Sequence, residues 1–251
     1  MQLTGNTLLI TGGGTGIGRA FAEAFHHLGN KVIIAGRRPA ALDAVMAANP
    51  GMEAVELDIA DPASIDAVAA DVRARFPGFN MLINNAGVMM MDDAGGAIDN
   101  ATAMTMVNTN FLGAVRMSSA FVETLKAQPS AAIVTITSVL GFVPFARAAV
   151  YSASKAALHA YIMAQRHRLR DTPVSVIEII PPRVQVDPDA GTGDVSSIPL
   201  ARFIDDAMAL LGTDAEEIVV DEARSMRANP GPREHEFVTR LNSMLERAHI
   251  E

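Results

Sequence analysis

A phenol and an ammonium stand four residues apart in Tyr151-Ser152-Ala153-Ser154-Lys155. On a helix, positions i and i+4 share one face. Free tyrosine titrates near pH ~10, so it is a poor acid–base group unless a nearby cation favours the phenolate. The pair therefore describes a proton donor able to work near neutral pH. The spacing alone arises by chance in many helices. Two companions raise it above chance: Ser138, thirteen residues upstream, and the glycine-rich turn Thr11-Gly12-Gly13-Gly14-Thr15-Gly16-Ile17-Gly18.

The elements that must position these groups alternate strand and helix. Thr7–Thr11 is a short apolar run of the buried-strand kind. Ile17, Phe21, Phe25 and Leu28 follow at helical spacing, with Gly29 as the stop. Lys31–Ala35, Glu53–Leu57, Met81–Asn84, Ala132–Thr137, Val174–Ile180 and Glu217–Val220 read as further strands. Between them lie helices over Pro39–Ala48, from Asp61-Pro62 to about Phe76, near Ala97–Asn110, over Gly113–Lys126, from about Tyr151 to Leu169, and over Leu200–Leu211. Asp61 followed by Pro62 supplies an N-cap and a proline at the first helical position. Continuous apolar strands separated by helices predict an α/β fold: a Rossmann-like, doubly wound parallel sheet of about seven strands with helices on both faces. No linker divides the chain, so residues 1–251 read as one dinucleotide-binding catalytic domain. Asp187–Pro199, rich in Gly, Asp and Ser, reads as a loop over the substrate. The tail from Ala228 reads as irregular before a last helix.

Composition narrows the function classes. At 49% hydrophobic, 251 residues can bury a sizeable core. The absence of cysteine excludes disulfides and cysteine-based nucleophile or metal chemistry. A net charge of −8 argues against nucleic acid or an anionic membrane as partner. There is neither a secretory-type start nor an apolar run of about 18 residues, which points to a cytoplasmic protein. The six histidines show no metal spacing, and His235-Glu236 lacks the second histidine because Thr239 stands there. No metal is expected. Ser138 is not in a G-x-S-x-G setting, so it is not an α/β-hydrolase nucleophile.

The glycine turn joins the first strand to the first helix. Glycines at 12, 16 and 18 allow a tight turn and let backbone approach a pyrophosphate. The helix that follows offers free N–H groups and a positive dipole end to that anion. Arg19 and Ala20 stand where a P-loop needs Lys and Ser/Thr. At the end of the second strand, Gly36 occupies the place where NAD-selective folds carry an acid. Arg37 and Arg38 follow, and two guanidiniums suit a 2′-phosphate. The expected cofactor is NADP(H) rather than NAD(H), with Arg37 favoured as the contact.

The glycine turn, Asn84-Asn85-Ala86-Gly87, Ser138, and Tyr151 with Lys155 occur in the order and spacing of the short-chain dehydrogenase/reductase family, which the chain resembles over most of its length. The resemblance implies hydride exchange between a nicotinamide and a carbonyl or alcohol. It implies Tyr151 as general acid/base, Lys155 holding the nicotinamide ribose and stabilising the phenolate, and Ser138 bonding the substrate oxygen. A fourth residue, an asparagine in the central helix, feeds a proton relay to the lysine. Asn108 and Asn110 both compete for that role, and the pattern Asn-x-x-Gly favours Asn110 with Gly113. Gly12, Thr15, Gly16, Ile17 and Gly18 would take the pyrophosphate side. Asp58 and Ile59 would meet the adenine, and Asn85, Ala86 and Gly87 the adenosine ribose, while Asn84 braces the sheet.

The chain departs from the family at Pro181-Pro182-Arg183-Val184-Gln185-Val186. Pro182 replaces a glycine and Val186 a threonine. Pro181 and Val184 remain as backbone contacts to the nicotinamide. Met89, Met90, Met91, Phe145 and Arg147 are candidates to border the substrate. The reading is a homodimeric or homotetrameric NADP-dependent reductase of small carbonyl compounds. Two rivals stand beside it: a non-catalytic NADP-binding sensor, which would need no proton donor, and an imine reductase or epimerase using the same residues.

Overall fold

A computed structural model describes residues 1–186 and 197–248. In chain order the elements are β1 (Thr7–Thr11), α1 (Gly16–His27), β2 (Lys31–Gly36), α2 (Pro39–Ala48), β3 (Glu53–Glu56), α3 (Pro62–Arg75) and β4 (Phe79–Asn84). There follow α4 (Asn100–Val107), a π turn (Asn108–Leu112), α5 (Gly113–Lys126), β5 (Ala131–Ile136), α6 (Ala149–Leu169) and β6 (Val174–Ile179). The remainder is β7 (Val184–Gln185), β8 (Ile198–Pro199), α7 (Leu200–Leu211), β9 (Glu217–Ile218), α8 (Asp221–Arg227) and α9 (Glu234–Ala248).

Seven strands form one sheet in the order β3-β2-β1-β4-β5-β6-β9, and every neighbouring pair is parallel. Strand side chains alternate between faces, and here both faces are covered. Leu8 and Ile10 join Phe21, Phe25, Val45 and Phe203 in one apolar layer, whereas Leu9 joins Val72, Phe121, Leu158 and Ile162 in the other. Burial on both faces explains why these strands are apolar without alternation. The chain runs from β1 outward to β3, then returns to β4 on the other side of β1. That reversal opens a crevice beyond the carboxyl ends of β1 and β4, where open α/β sheets bind ligands.

The sequence separates a helix ending at Asn110 from one starting at Gly113. The structure instead joins α4 and α5 through the π turn, in which Gly113 N donates to Asn108 O. The cause lies at Gly113: a Cβ there would stand 2.7 Å from Ile59 Cγ1 and 3.0 Å from Ile59 O. The helix rides on the loop after β3 at a distance only glycine permits. α8, within the stretch after β9, has no counterpart in the sequence reading. Residues 187–196 of the expected substrate loop lie outside the described residues, whereas Ile198–Pro199 pair with Val184–Gln185 as β8 with β7. No helix among the described residues is long and apolar enough to cross a membrane.

Gly113→Ala should lower stability by about 1–3 kcal/mol, the usual cost of overpacking. Urea denaturation checks this through a lower midpoint at unchanged slope.

Candidate active site

Buried polar residues gather at the carboxyl ends of the central strands. Thr11, Asn84, Thr137, Ser138 and Glu178 are all nearly inaccessible. Thr11 and Asn85 tie β1 to β4. The Thr11 hydroxyl accepts from Asn85 N and Ala86 N at 3.0 Å each, and Asn85 Nδ2 donates to Thr11 O at 2.9 Å. Gly18 completes the turn by close approach: a Cβ there would stand 2.2 Å from Asn85 Nδ2 and 2.4 Å from Gly12 O. Asn84 Nδ2 donates to Ser118 Oγ at 3.0 Å, bracing β4 against α5.

A cavity of about 450 Å³ opens in the crevice. It is lined along one side by Gly12, Thr15, Gly16, Ile17, Gly18, Arg37 and Arg38, and beyond them by Ile59, Asn85, Ala86 and Gly87. Ser138, Tyr151, Lys155, Pro181, Pro182 and Val186 line it as well. No side chain caps α1, so its first N–H groups remain for an anion. Arg38 Nη2 donates to Thr15 Oγ1 at 3.3 Å, which folds this guanidinium over the glycine turn. A dinucleotide bearing a 2′-phosphate fits this donor set. Arg37 and Arg38 both line the cavity, and it is Arg38 that is bonded to the turn, although the sequence favours Arg37.

Three expected residues stand off the cavity wall. Asp58 is exposed and its Oδ1 accepts from Ala60 N at 3.0 Å, closing a local turn, while its neighbours Leu57 and Ile59 face the cavity. Val184 sits in the short β7 strand. Asn110 is buried behind the wall: its Oδ1 accepts from Val88 N at 2.8 Å, and its Nδ2 donates to Val88 O at 2.8 Å and Ser154 Oγ at 3.2 Å. Those bonds join the π turn, the loop after β4 and α6. Gly87 lies against both Asn110 Oδ1 and Lys155 Nζ. Asn110, not Asn108, is thus the asparagine beside Lys155. Met89 lines the cavity, whereas Phe145, within the Ser138–Tyr151 segment, is buried and does not line it.

Lys155 is only 4% exposed, and Nζ donates to Ile136 O at 2.9 Å. Burial depresses its pKa to about 8, against an opposing pull from Glu178. Burial likewise raises the Tyr151 phenol, and a hydrogen bond with Ser138 partly offsets this. The sequence reading expects Lys155 to draw the phenol down. Here Nζ lies 5.8 Å from the ring centroid, and desolvation is the larger effect. Ser138 Oγ also accepts from Leu140 N at 3.1 Å, so it caps the turn after β5 while it meets Tyr151.

Several residues that hold the site carry no motif. Asp92, in the loop after β4, accepts from Ala149 N at 2.8 Å and Val150 N at 2.9 Å. It caps α6 from a distance, two residues before Tyr151, where α6 has no cap of its own. Asn229 Nδ2 donates to Phe142 O at 3.1 Å, and Asn242 of α9 donates to Pro144 O at 3.0 Å and accepts from Ala146 N at 2.6 Å. Only contacts distant in sequence reveal these three.

The short chain dehydrogenase family model matches residues 6–194. The chain is 41% identical over 185 residues to the uncharacterized oxidoreductase DltE of Bacillus subtilis strain 168, covering 73% of each protein. A short chain dehydrogenase from Burkholderia cenocepacia J2315 in complex with NADP superposes with a TM-score of 0.84 at 27% identity, over 96% of this chain and 99% of that one. The NADPH-bound carbonyl reductase from chicken fatty liver gives a TM-score of 0.76 at 27% identity, over 84% and 92% respectively.

Asp92→Ala removes the remote cap of α6 and should lower the melting temperature by about 2–4 °C, as a loss of ~1 kcal/mol does in a domain of this size. Scanning calorimetry checks this.

Proposed function

The chain belongs to the short chain dehydrogenase family and is an NAD(P)-dependent oxidoreductase; on that premise we propose that it reduces small carbonyl compounds with NADPH. The observation that carries this reading is the convergence of Ser138, Tyr151 and Lys155 on the one cavity that also holds the glycine turn and two arginines.

Bound there, the reduced nicotinamide supplies the hydride for the carbonyl carbon. The Ser138 hydroxyl donates to the carbonyl oxygen and fixes it beside Tyr151. Tyr151 gives its proton to that oxygen as negative charge develops. A phenol whose pKa is raised by burial enters the reaction protonated, which suits reduction. The Lys155 ammonium stabilises the phenolate left behind and holds the nicotinamide ribose. Asn110 steadies the Gly87–Val88 backbone beside Lys155 and marks where the proton relay starts. Arg37 and Arg38 take the 2′-phosphate, and the uncapped start of α1 takes the pyrophosphate. Val186, at 49% exposure, and Met89 give the substrate end an apolar wall, which favours uncharged carbonyl compounds. Association into homodimers or homotetramers belongs to the same reading.

Tyr151→Phe should reduce carbonyl turnover by about 10²–10⁴-fold while NADPH affinity, read by nucleotide fluorescence, stays unchanged. Undiminished turnover in that variant would overturn the assignment. Arg37→Ala and Arg38→Ala should each raise KM for NADPH by about 10–100-fold, the worth of a charge-assisted hydrogen bond, with little effect on NADH. An equal loss with both nucleotides would show that these arginines do not read the 2′-phosphate.

A further inference from the structure

Glu178 is a carboxylate in the middle of an apolar sheet, with 0% exposure. A buried charge is expensive unless it is paired and hydrogen-bonded. Glu178 lies on β6 opposite Thr135 of β5. Its Oε1 accepts from Thr137 Oγ1 at 2.7 Å, and its Oε2 meets His159 Nδ1 at 2.7 Å. An ionised carboxylate only accepts, so Nδ1 carries the proton. Thr137 stands between Ile136, whose carbonyl holds Lys155, and Ser138. His159 follows Lys155 by four residues, on the same face of α6. The three side chains thus tie β5, β6 and α6 together at the level of the reacting groups.

We propose that Glu178 is a positioning residue for Lys155: with Thr137 and His159 it pins α6 to the strand ends and sets its carboxylate against the helix face that carries Lys155. This rests on the assignment of Lys155 to the reductase site. Among the described residues, the charged and titratable groups around the lysine are few. From α6 come Tyr151 and His159, and from β6 Glu178. The π turn offers only the amide of Asn110, and β5 only the Ile136 carbonyl and the Thr137 hydroxyl. Beyond His159 stand Glu217 of β9 and Arg227 of α8. Arg227 binds both Glu217 oxygens, at 2.8 and 2.9 Å, and stacks over Phe142. Arg166 of α6 lies against Glu216, beside that pair.

His159, Glu178 and Glu217 bring ligand atoms within 4.8 Å of one another, yet Arg227 already occupies Glu217. Glu178 meets His159 directly, and its charge acts on Lys155 as well as on Arg227. The electrostatic direction agrees: Glu178 opposes the depression of Lys155 by burial. Lys155 needs this support because its only described hydrogen bond is to one carbonyl.

The chain contains three lysines, Lys31, Lys126 and Lys155, so lysine labelled with carbon-13 at Cε gives three signals whose titration needs no substrate. Lys31→Arg and Lys126→Arg assign the third. In the native protein Lys155 should titrate at about 8. Glu178→Gln keeps the shape and removes the charge. It should lower the Lys155 midpoint by half a pH unit or more, about a threefold loss of proton affinity. The basic limb of kcat/KM should move down with it. If Glu178→Gln fails to fold, the double variant His159→Leu with Glu178→Leu removes the carboxylate and the imidazole together, and the Thr137 hydroxyl keeps its bond to Ile179 O at 3.3 Å. The same fall is expected there. A Lys155 midpoint unchanged or raised in either folded variant overturns the proposal. The Tyr151→Phe turnover assay tests the reductase reading separately, because Lys155 titrates whether or not the protein reduces a carbonyl.

Discussion

The arrangement of the site follows from one constraint: an ammonium held out of water. Burial lowers the Lys155 pKa from 10.5 to about 8. Each pKa unit corresponds to about 1.36 kcal/mol, so the charged form is disfavoured by roughly 3 kcal/mol relative to water. The sign matters. Between pH about 8 and 10.5 the unfolded chain binds this proton and the folded chain does not. Below that window both states are protonated, and the full cost falls on the fold; it fades as pH rises through the window. A fold keeps such a residue because its charge is useful, and the surroundings limit the loss. Ile136 O accepts from Nζ, Glu178 supplies opposite charge, and Gly87 leaves room beside it.

That constraint sets the spacing of everything around it. Gly141 packs against the backbone of Lys155 and Ala156, where a Cβ would come within 3.1 Å. Gly113 lets the central helix settle onto Ile59, and the π turn this produces carries Asn110 to Val88. Wider turns of this kind recur at functional sites because they re-aim a side chain without ending the helix. Asp92 then caps α6 from the loop after β4, so the helix bearing Tyr151 and Lys155 is anchored to the loop whose start, at Asn85, is tied to Thr11 of β1 beside the glycine turn. The Ser138–Tyr151–Lys155 geometry is thereby held by strand ends and helix starts rather than by loops alone.

The alternation of strands and helices was legible because both faces of the sheet are covered and each strand is a short apolar run. The glycine turn, Ser138, Tyr151 and Lys155 were legible because close backbone approach and acid–base chemistry admit few residue types. Between Asn108 and Asn110 the Asn-x-x-Gly pattern favoured Asn110, but the π turn that carries Asn110 to Val88 was not legible, since it depends on how many residues one helical turn contains. Asp58 read as an adenine contact; that its Oδ1 also closes a turn onto Ala60 is a detail spacing could not show. Glu178 read as one residue of a strand. Its partners Thr137 and His159 are 41 and 19 residues away, and no linear pattern joins them.

The chemistry and the choice of substrate are written in different parts of the chain. The family match ends at residue 194. Asn229 and Asn242 lie beyond it, and between them they hold the backbone of Phe142, Pro144 and Ala146. That segment connects Ser138 to Tyr151, so any change in it moves the groups that must meet the substrate oxygen. Backbone bonds of this kind do not depend on the side chains they hold. The C-terminal segment can therefore fix the path of the Ser138–Tyr151 connection while leaving its side chains free to vary. On the proposed reductase reading, hydride transfer would depend on the strand ends and α6, and selection among carbonyl compounds on the clamped segment, on Met89 and on Val186, an apolar side chain at the family's threonine position.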